Sequence, residues 1–353
     1  MLPRGGGVST YTVTTLPGKL SAMKRDEYDR DTTMMRATAL KELVVTDQGP
    51  RAFYLKHIAK VIPPSESDDL LIGTLFHEWV LEDRKNWAVA TMARNDSHKA
   101  YQEFKAANAG KEFITAKQEA LLCGMYEGLM RNRQAREIVE MQRHEEQVVL
   151  GAEEVDFVGV DGEPHSMLVP SKCAIDAWPF KNPPKFDCPA RFCIKSDAAV
   201  DGWEHTVFRR GYHVQAAWYE RLVHSVPEFA DTPWSFAHIV VEKKPPFYCY
   251  VRPLSEGALR IGNKDCELAL YRYCWGKRAE ELGRDPLDAW PDLVEQRQGD
   301  PVMPTTWVNE AFGVRHSIPM TSNEPVAFEE GINGHDIPAS PADYYRQFAR
   351  SAG

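Results

Sequence analysis

The sequence predicts an α+β fold, and two observations carry this prediction. Residues 38–138 place apolar side chains at helical spacing, whereas residues 147–251 alternate apolar and polar side chains, include many valines and contain turn-forming residues. The 353 residues are 43% hydrophobic and 26% charged, which is usual for a globular protein. We therefore expect a helical N-terminal region, followed by a mostly β block that carries a pair of helices.

The N-terminal third predicts an arm and then a series of helices. Residues 1–30 are polar, with a glycine run and two prolines, and predict a flexible arm. Two short helices are expected within 38–62, separated by Gln48-Gly49-Pro50. A third is expected from Asp68 to Leu81, capped by Ser65 or Ser67. Residues 97–108 and 115–138 predict two more helices.

The rest of the chain predicts strands, a helix pair, a long helix and a tail. Strands are expected over 147–162, 167–178, 190–195, 235–242 and 248–251, with a hairpin turn at Asp161-Gly162. Helices are expected over about 200–226 and 256–282. From about residue 301 the composition predicts a C-terminal tail with a short helix after Ser340. Residues 31–300 are thus predicted to form a single domain.

Composition and motif searches exclude several classes. No apolar run approaches the ~20 residues of a membrane span, no secretory signal is visible, and seven scattered cysteines favour a reducing, cytoplasmic location. P-loop, dinucleotide-binding, serine-hydrolase and C-x-x-C motifs are missing. His77-Glu78 and His144-Glu145 lack the second histidine of a zincin. The net charge is 42 − 51 = −9, which at face value argues against a nucleic-acid partner.

Several polar residues lie in or beside otherwise apolar elements. Gly73 and His77 share one face of a predicted helix, where the glycine would allow another backbone or a ligand to approach closely. An acid, Asp176, lies within a run expected to be buried. Alternation on the next strand places Cys193 and Lys195 on one face. Spacing of four also places Gln215 and Tyr219 on one helix face.

Five segments that include these residues resemble one family when taken in order. They are Gly73-Thr-Leu-Phe-His-Glu78, Lys172-x-x-x-Asp176, Cys193-Ile-Lys-Ser196, Gly211-Tyr-His-x-Gln-Ala-Ala-Trp-Tyr219 and Val241-Glu-Lys-Lys-Pro-Pro246. The sequence resembles the RecE-type exonucleases (exodeoxyribonuclease VIII), a branch of the PD-(D/E)XK nuclease superfamily related to the RecB nuclease domain. The resemblance covers residues 38–295 and implies a mixed central sheet flanked by helices.

The resemblance also implies a site that binds Mg²⁺ or Mn²⁺. His77 matches the family's metal-site histidine, Asp176 its first acid and Lys195 its catalytic lysine. Gln215 and Tyr219 match a motif that positions DNA. Glu146, or its neighbour Glu145, matches an accessory metal-binding acid. The implied activity is degradation of linear double-stranded DNA, 5′ to 3′, in recombination or phage DNA processing, by a ring-like homo-oligomer that works with a single-strand-annealing recombinase.

Cys193 departs from the family pattern, because it holds the place of the second metal-binding acid. A thiolate suits Zn²⁺ or Mn²⁺ better than Mg²⁺. Three explanations stay open: another acid, such as Asp187 or Asp197, replaces it; the protein is a weakly active or inactive homologue; or the substitution deliberately removes activity. The alternative function is therefore a catalytically impaired, DNA-binding accessory protein. A nuclease-fold enzyme acting on RNA or on nicked and branched DNA is a third, less favoured function.

Overall fold

The computed structural model confirms the α+β prediction. It describes residues 11–21, 23, 25–45, 49–63, 67–92, 97–141, 147–178, 190–197 and 202–291. The strands are β1 (Tyr11–Ser21), β2 (Trp87–Val89), β3 (Glu112–Ile114), β4 (Gln147–Val158), β5 (Pro164–Ile175), β6 (Ala190–Asp197), β7 (Ser235–Glu242) and β8 (Cys249–Pro253). The helices are α1 (Arg25–Arg30), α2 (Ala37–Glu42), α3 (Gly49–Phe53), α4 (Asp68–Glu82), α5 (Lys99–Ala107), α6 (Ala116–Arg131), α7 (Arg133–Met141), α8 (Trp203–Arg209), α9 (Tyr212–Ser225), α10 (Glu256–Glu281) and α11 (Pro286–Ala289).

Two three-stranded sheets form the β part and meet beside the end of β5. The first is antiparallel, in the order β1-β4-β5, whereas in the second β6 pairs parallel with β7 and β7 pairs antiparallel with β8. Ala177 and Phe192 exchange two backbone hydrogen bonds, of 3.1 Å and 2.9 Å, and so join the segment after β5 to β6. The mixed sheet expected from the sequence is therefore confirmed, with a small parallel pair, β2-β3, beside it.

Helices cover both faces of the mixed sheet. On one face, apolar side chains of α4, α6 and α7 share a buried cluster with those of β6, β7 and β8. On the other face, α9 and α10 share a second cluster with Cys193 and Phe236. The same α9 packs against β1, β4 and β5, where the Trp218 indole N–H donates to the Lys172 carbonyl at 3.1 Å. Trp218 is therefore a core residue that ties α9 to the first sheet.

The predicted N-terminal arm is wrong for residues 11–21 and 25–30, which form β1 and α1. Tyr11 and Val13 alternate with Thr12 and Thr14, and β1 pairs with β4 on both sides of a register shift between Leu16 and Lys19. Stacking of Tyr11 on Tyr271, with ring centroids 4.7 Å apart, fixes the start of the strand on α10. Residues 1–10, the predicted tail from 301 onward and its final helix lie outside the described residues.

Side-chain caps set the ends of the helices that carry the site. Ser67 Oγ accepts from Leu70 N at 3.2 Å and begins α4, which decides between the two predicted caps in favour of Ser67. The single helix expected over 115–138 is instead divided at Asn132. Its side-chain oxygen accepts from Ala135 N at 3.0 Å, so α7 begins as a separate helix. No helix within the described ranges is long and apolar enough to cross a membrane.

Candidate functional site

The site lies where the segment after β5 meets β6. Asp176 directly follows β5, and its Oδ2 accepts a hydrogen bond from Ile194 N at 3.1 Å. This bond and the Ala177–Phe192 pair hold the carboxylate against the strand that carries Lys195. The structure thereby brings together two segments that residues 179–189 separate in the sequence.

His77 reaches the same carboxylate from α4. Its Nε2 lies 3.2 Å from Asp176 Oδ1, and both side chains are mostly covered, with exposures of 21% and 11%. Gly73 lies one turn earlier on α4, and a methyl group there would meet only Ser196 Oγ, at 3.7 Å. No backbone of the described residues therefore approaches Gly73 closely, and the close approach of a ligand stays a prediction.

Asp176 is held as an anion. Burial alone would raise the pKa of its carboxyl, but the adjacent His77, the charge of Lys195 and the Ile194 N–H outweigh burial. The pKa of Asp176 is therefore well below its usual range. A buried carboxylate that stays charged is suited to bind a cation or to orient a polar reactant.

The predicted pair on α9 faces this carboxylate from the other side of β6. The Gln215 amide donates to Tyr219 Oη at 2.8 Å, and its nitrogen lies 3.9 Å from Cys193 Sγ. Tyr219 is 6% exposed, packs edge-on against Phe236, and burial raises the pKa of its phenol. Tyr219 therefore holds Gln215 in place, while Gln215 is the more accessible member of the pair.

Cys193 occupies the place of the expected second acid as a neutral thiol. It is fully buried, and burial together with the neighbouring Asp176 carboxylate raises the pKa of the thiol well above its usual value. The charge of Lys195 lowers this pKa, but by less than burial and the Asp176 carboxylate raise it. Position 193 thus lies against Asp176, as the family pattern requires, yet adds no negative charge.

The described residues supply two donors for a metal ion, the His77 imidazole and the Asp176 carboxylate. In the described part of the chain, no group of three or more His, Cys, Asp or Glu side chains converges on one point. Glu145, Glu146 and Asp187 lie outside the described residues, whereas Asp197 ends β6 with its carbonyl accepting from Lys243 N at 2.7 Å. Mg²⁺ commonly binds through one or two carboxylates plus waters and substrate phosphates, so the Asp176 carboxylate fits part of its shell, whereas an imidazole such as that of His77 is more usual as a ligand of transition metals.

Three residues that the sequence analysis did not single out also border the site. Lys195 Nζ lies 4.9 Å from the centroid of the Tyr212 ring, and Lys41 Nζ of α2 lies 5.4 Å from the same ring. His238 on β7 is in register with Cys193, is fully buried, and has hydrogen-bond partners for neither ring nitrogen. Burial lowers the pKa of His238 to about 3. The alternation of β7 could have placed His238, but nothing local in the sequence reveals Lys41.

Comparisons with known proteins add a distant likeness. No protein-family profile and no curated protein matches the chain. A solved structure of a protein from Eubacterium rectale, provisionally described as an exonuclease, superposes with a TM-score of 0.47 and 13% sequence identity. The likeness covers 82% of this chain and 97% of that chain. The function therefore rests on the residues of the site itself.

Proposed function

We propose that the protein is a nuclease that hydrolyses phosphodiester bonds in DNA and uses Mg²⁺ or Mn²⁺ bound through Asp176 and His77. The observation that carries this proposal is the ionised, mostly buried carboxylate of Asp176, with His77 at 3.2 Å on one side and the charge of Lys195 nearby. A carboxylate with an imidazole and an ammonium group beside it suits a reaction at a phosphate, where negative charge increases in the transition state.

Each described residue has a distinct task in this reaction. A divalent cation at Asp176 and His77 would neutralise phosphate charge and lower the pKa of a bound water. Lys195 stabilises the negative charge that develops on the phosphate oxygens or orients the attacking water. The Gln215 amide, held by Tyr219 at 2.8 Å, is placed to hydrogen-bond the DNA or the water beside Asp176. Glu146 or Glu145 is proposed as the further metal-binding acid.

The finer features of the proposal come from the sequence resemblance. They are exonucleolytic action on linear double-stranded DNA in the 5′ to 3′ direction, a ring-like homo-oligomer, a single-strand-annealing recombinase as partner, and a cytoplasmic role in recombination or phage DNA processing. The net charge of −9 is compatible with DNA binding, because it is a sum over the whole chain while Lys41, Lys195 and Arg210 lie near one another.

Cleavage of defined substrates tests the proposal. The purified protein is incubated with linear duplex, circular duplex and RNA, each with Mg²⁺, Mn²⁺ or EDTA. Asp176→Asn and Lys195→Met are expected to lower cleavage of linear DNA by a factor of about 100 or more, because each removes a charge that acts in the transition state. Lys99→Ala, on the distant α5 and 89% exposed, serves as the control. Full cleavage by Asp176→Asn would refute the proposal.

A second candidate function is that of a DNA-binding accessory protein with an impaired site, and the neutral, buried Cys193 favours it. The two candidates differ in metal binding and turnover. Calorimetry with Mn²⁺ that shows no binding, combined with tight duplex binding and no cleavage, would favour the accessory protein. Metal binding that is lost in Asp176→Asn would favour the nuclease.

A further inference from the structure

We propose that Lys41, together with Lys195 and the Tyr212 ring that both ammonium groups approach, forms a subsite for a backbone phosphate of the nucleic acid. This inference rests on the proposed function insofar as it takes a nucleic acid as the ligand of the site. It adds a residue from α2 that lies outside the motifs of the sequence resemblance. Its support comes from the path of the Lys41 side chain, its surroundings and the charges that extend to the surface.

The backbone at the start of α9 leaves room for the Lys41 side chain. Gly211, the residue before α9, has a φ of +64°, a conformation that favours glycine. A Cβ at this position would lie 2.9 Å from Lys41 Cδ and 2.8 Å from Val45 Cγ2. The bare Cα of Gly211 therefore lets the aliphatic part of Lys41 cross the start of α9 and bring its ammonium group to Tyr212.

The ammonium groups of Lys41 and Lys195 lie near the same aromatic ring. Their Nζ atoms are 5.4 Å and 4.9 Å from the centroid of Tyr212. No carboxylate of the described residues lies within ion-pair distance of Lys41 Nζ. Burial, with a further contribution from the charge of Lys195, lowers the pKa of Lys41 to about 8. Two cations in such surroundings are stabilised when an anion binds between them.

A third cation extends this arrangement towards the solvent. Arg210, the residue after α8, is exposed, and its charge also lowers the pKa of Lys41. Away from the solvent, the charge of Lys195 lowers the pKa of the Asp176 carboxyl. Positive charge therefore continues from beside Asp176 to the surface through Lys195, Lys41 and Arg210. Several cations in sequence fit a polyanionic chain with repeated phosphates better than a single small anion.

Binding of a short DNA duplex in EDTA at a series of salt concentrations tests the subsite without cleavage. The logarithm of the binding constant falls with the logarithm of salt concentration by about 0.9 for each phosphate contact. Lys41→Met keeps the aliphatic contact with Gly211 and removes the charge. We expect this variant to reduce the slope by about 1 and to weaken binding several-fold at low salt, whereas Lys41→Arg keeps the slope. The exposed Lys99→Ala variant serves as the control for general charge loss.

The outcomes separate this inference from the proposed function. A wild-type slope in Lys41→Met overturns the subsite even if the wild-type protein cleaves DNA. A reduced slope in Lys41→Met supports the subsite even if no cleavage occurs with Mg²⁺ or Mn²⁺. Weaker binding of inorganic phosphate with an unchanged DNA slope overturns the assignment to nucleic acid. Thermal melting checks folding, and if Lys41→Met is unfolded, Lys41→Gln with the same readout replaces it, where an unchanged slope again overturns the subsite.

Discussion

Cys193→Asp places a second carboxylate against Asp176 and thereby restores the acid that the family pattern expects. Cys193 is fully buried, and its thiol interacts directly with the Asp176 carboxylate. The new side chain therefore cannot avoid the existing charge without a rearrangement of β6. Cys193→Asn is the matched control, because it has nearly the same shape as aspartate and no charge.

The size of the effect follows from the charges around position 193. Two like charges about 4 Å apart interact by roughly 4 kcal/mol at an effective dielectric constant of about 20. Lys195 lies near both carboxylates and offsets part of this repulsion. In EDTA at neutral pH, we therefore expect the free energy of unfolding of Cys193→Asp to be about 2–4 kcal/mol below that of Cys193→Asn.

A divalent cation should reverse this loss if the two positions form a metal site. Ligand at 100 times its dissociation constant stabilises the folded state by about 2.7 kcal/mol. Urea unfolding followed by tryptophan fluorescence, with EDTA or with Mg²⁺ or Mn²⁺, measures both effects. The same variant is expected to cleave linear DNA faster than the natural protein.

Three results would refute this reasoning. Equal stability of Cys193→Asp and Cys193→Asn in EDTA would show that position 193 does not face the Asp176 charge. Equal stabilisation of both variants by the cation would show that residue 193 is not a ligand position. If the natural protein degrades DNA as fast as Cys193→Asp, the cysteine does not impair the site.

Two further predictions concern pH and packing. His238, whose pKa is lowered to about 3, stays neutral in the folded protein while the unfolded chain binds a proton below about pH 6.5. The contribution of neutral His238 to the free energy of unfolding is therefore fully present above pH 6.5 and falls by up to about 4 kcal/mol towards pH 3. In acid unfolding, His238→Phe should reduce this pH dependence of stability, and an unchanged pH dependence contradicts the assignment. Gly128→Ala should destabilise by about 1–3 kcal/mol in urea unfolding, because its methyl group would collide with the backbone of Phe247. The control Gly73→Ala, whose methyl group would make only an ordinary contact with Ser196 Oγ at 3.7 Å, should be neutral or slightly stabilising; equal effects would contradict the packing.

The elements with strong local signals were predictable from the sequence. The strand over 235–242 is confirmed residue for residue, because its apolar run ends at the turn that begins with Lys243. The long helix from Glu256 is confirmed to within one residue, and Ser255 caps it by accepting from Ala258 N at 3.2 Å. The contact of Gln215 with Tyr219 also follows from helical spacing alone.

The features that depend on distant parts of the chain were not predictable. Residues 11–21 contain Pro17 and Gly18, two residue types that disfavour strands. This segment is a strand because it pairs with β4. Lys41 has the sequence context of a solvated helical lysine, and its position beside Lys195 arises from the packing of α2 on α9. The contact of His77 with Asp176 likewise joins segments whose proximity no local pattern encodes, and the family resemblance alone pointed to it.

The pairing of β1 with β4 has a consequence for how the chain folds during synthesis. Tyr11 is opposite Phe157, and Ser21 is opposite Val148, so β1 leaves the ribosome before any of its partner strand has been made. At about 5–20 residues per second this interval lasts on the order of ten seconds. The hairpin of β4 and β5 pairs neighbouring segments and can form first, and β1 then adds to its free edge. β1 is thus translated well before β4 and β5 and reaches its place in the sheet after they have paired.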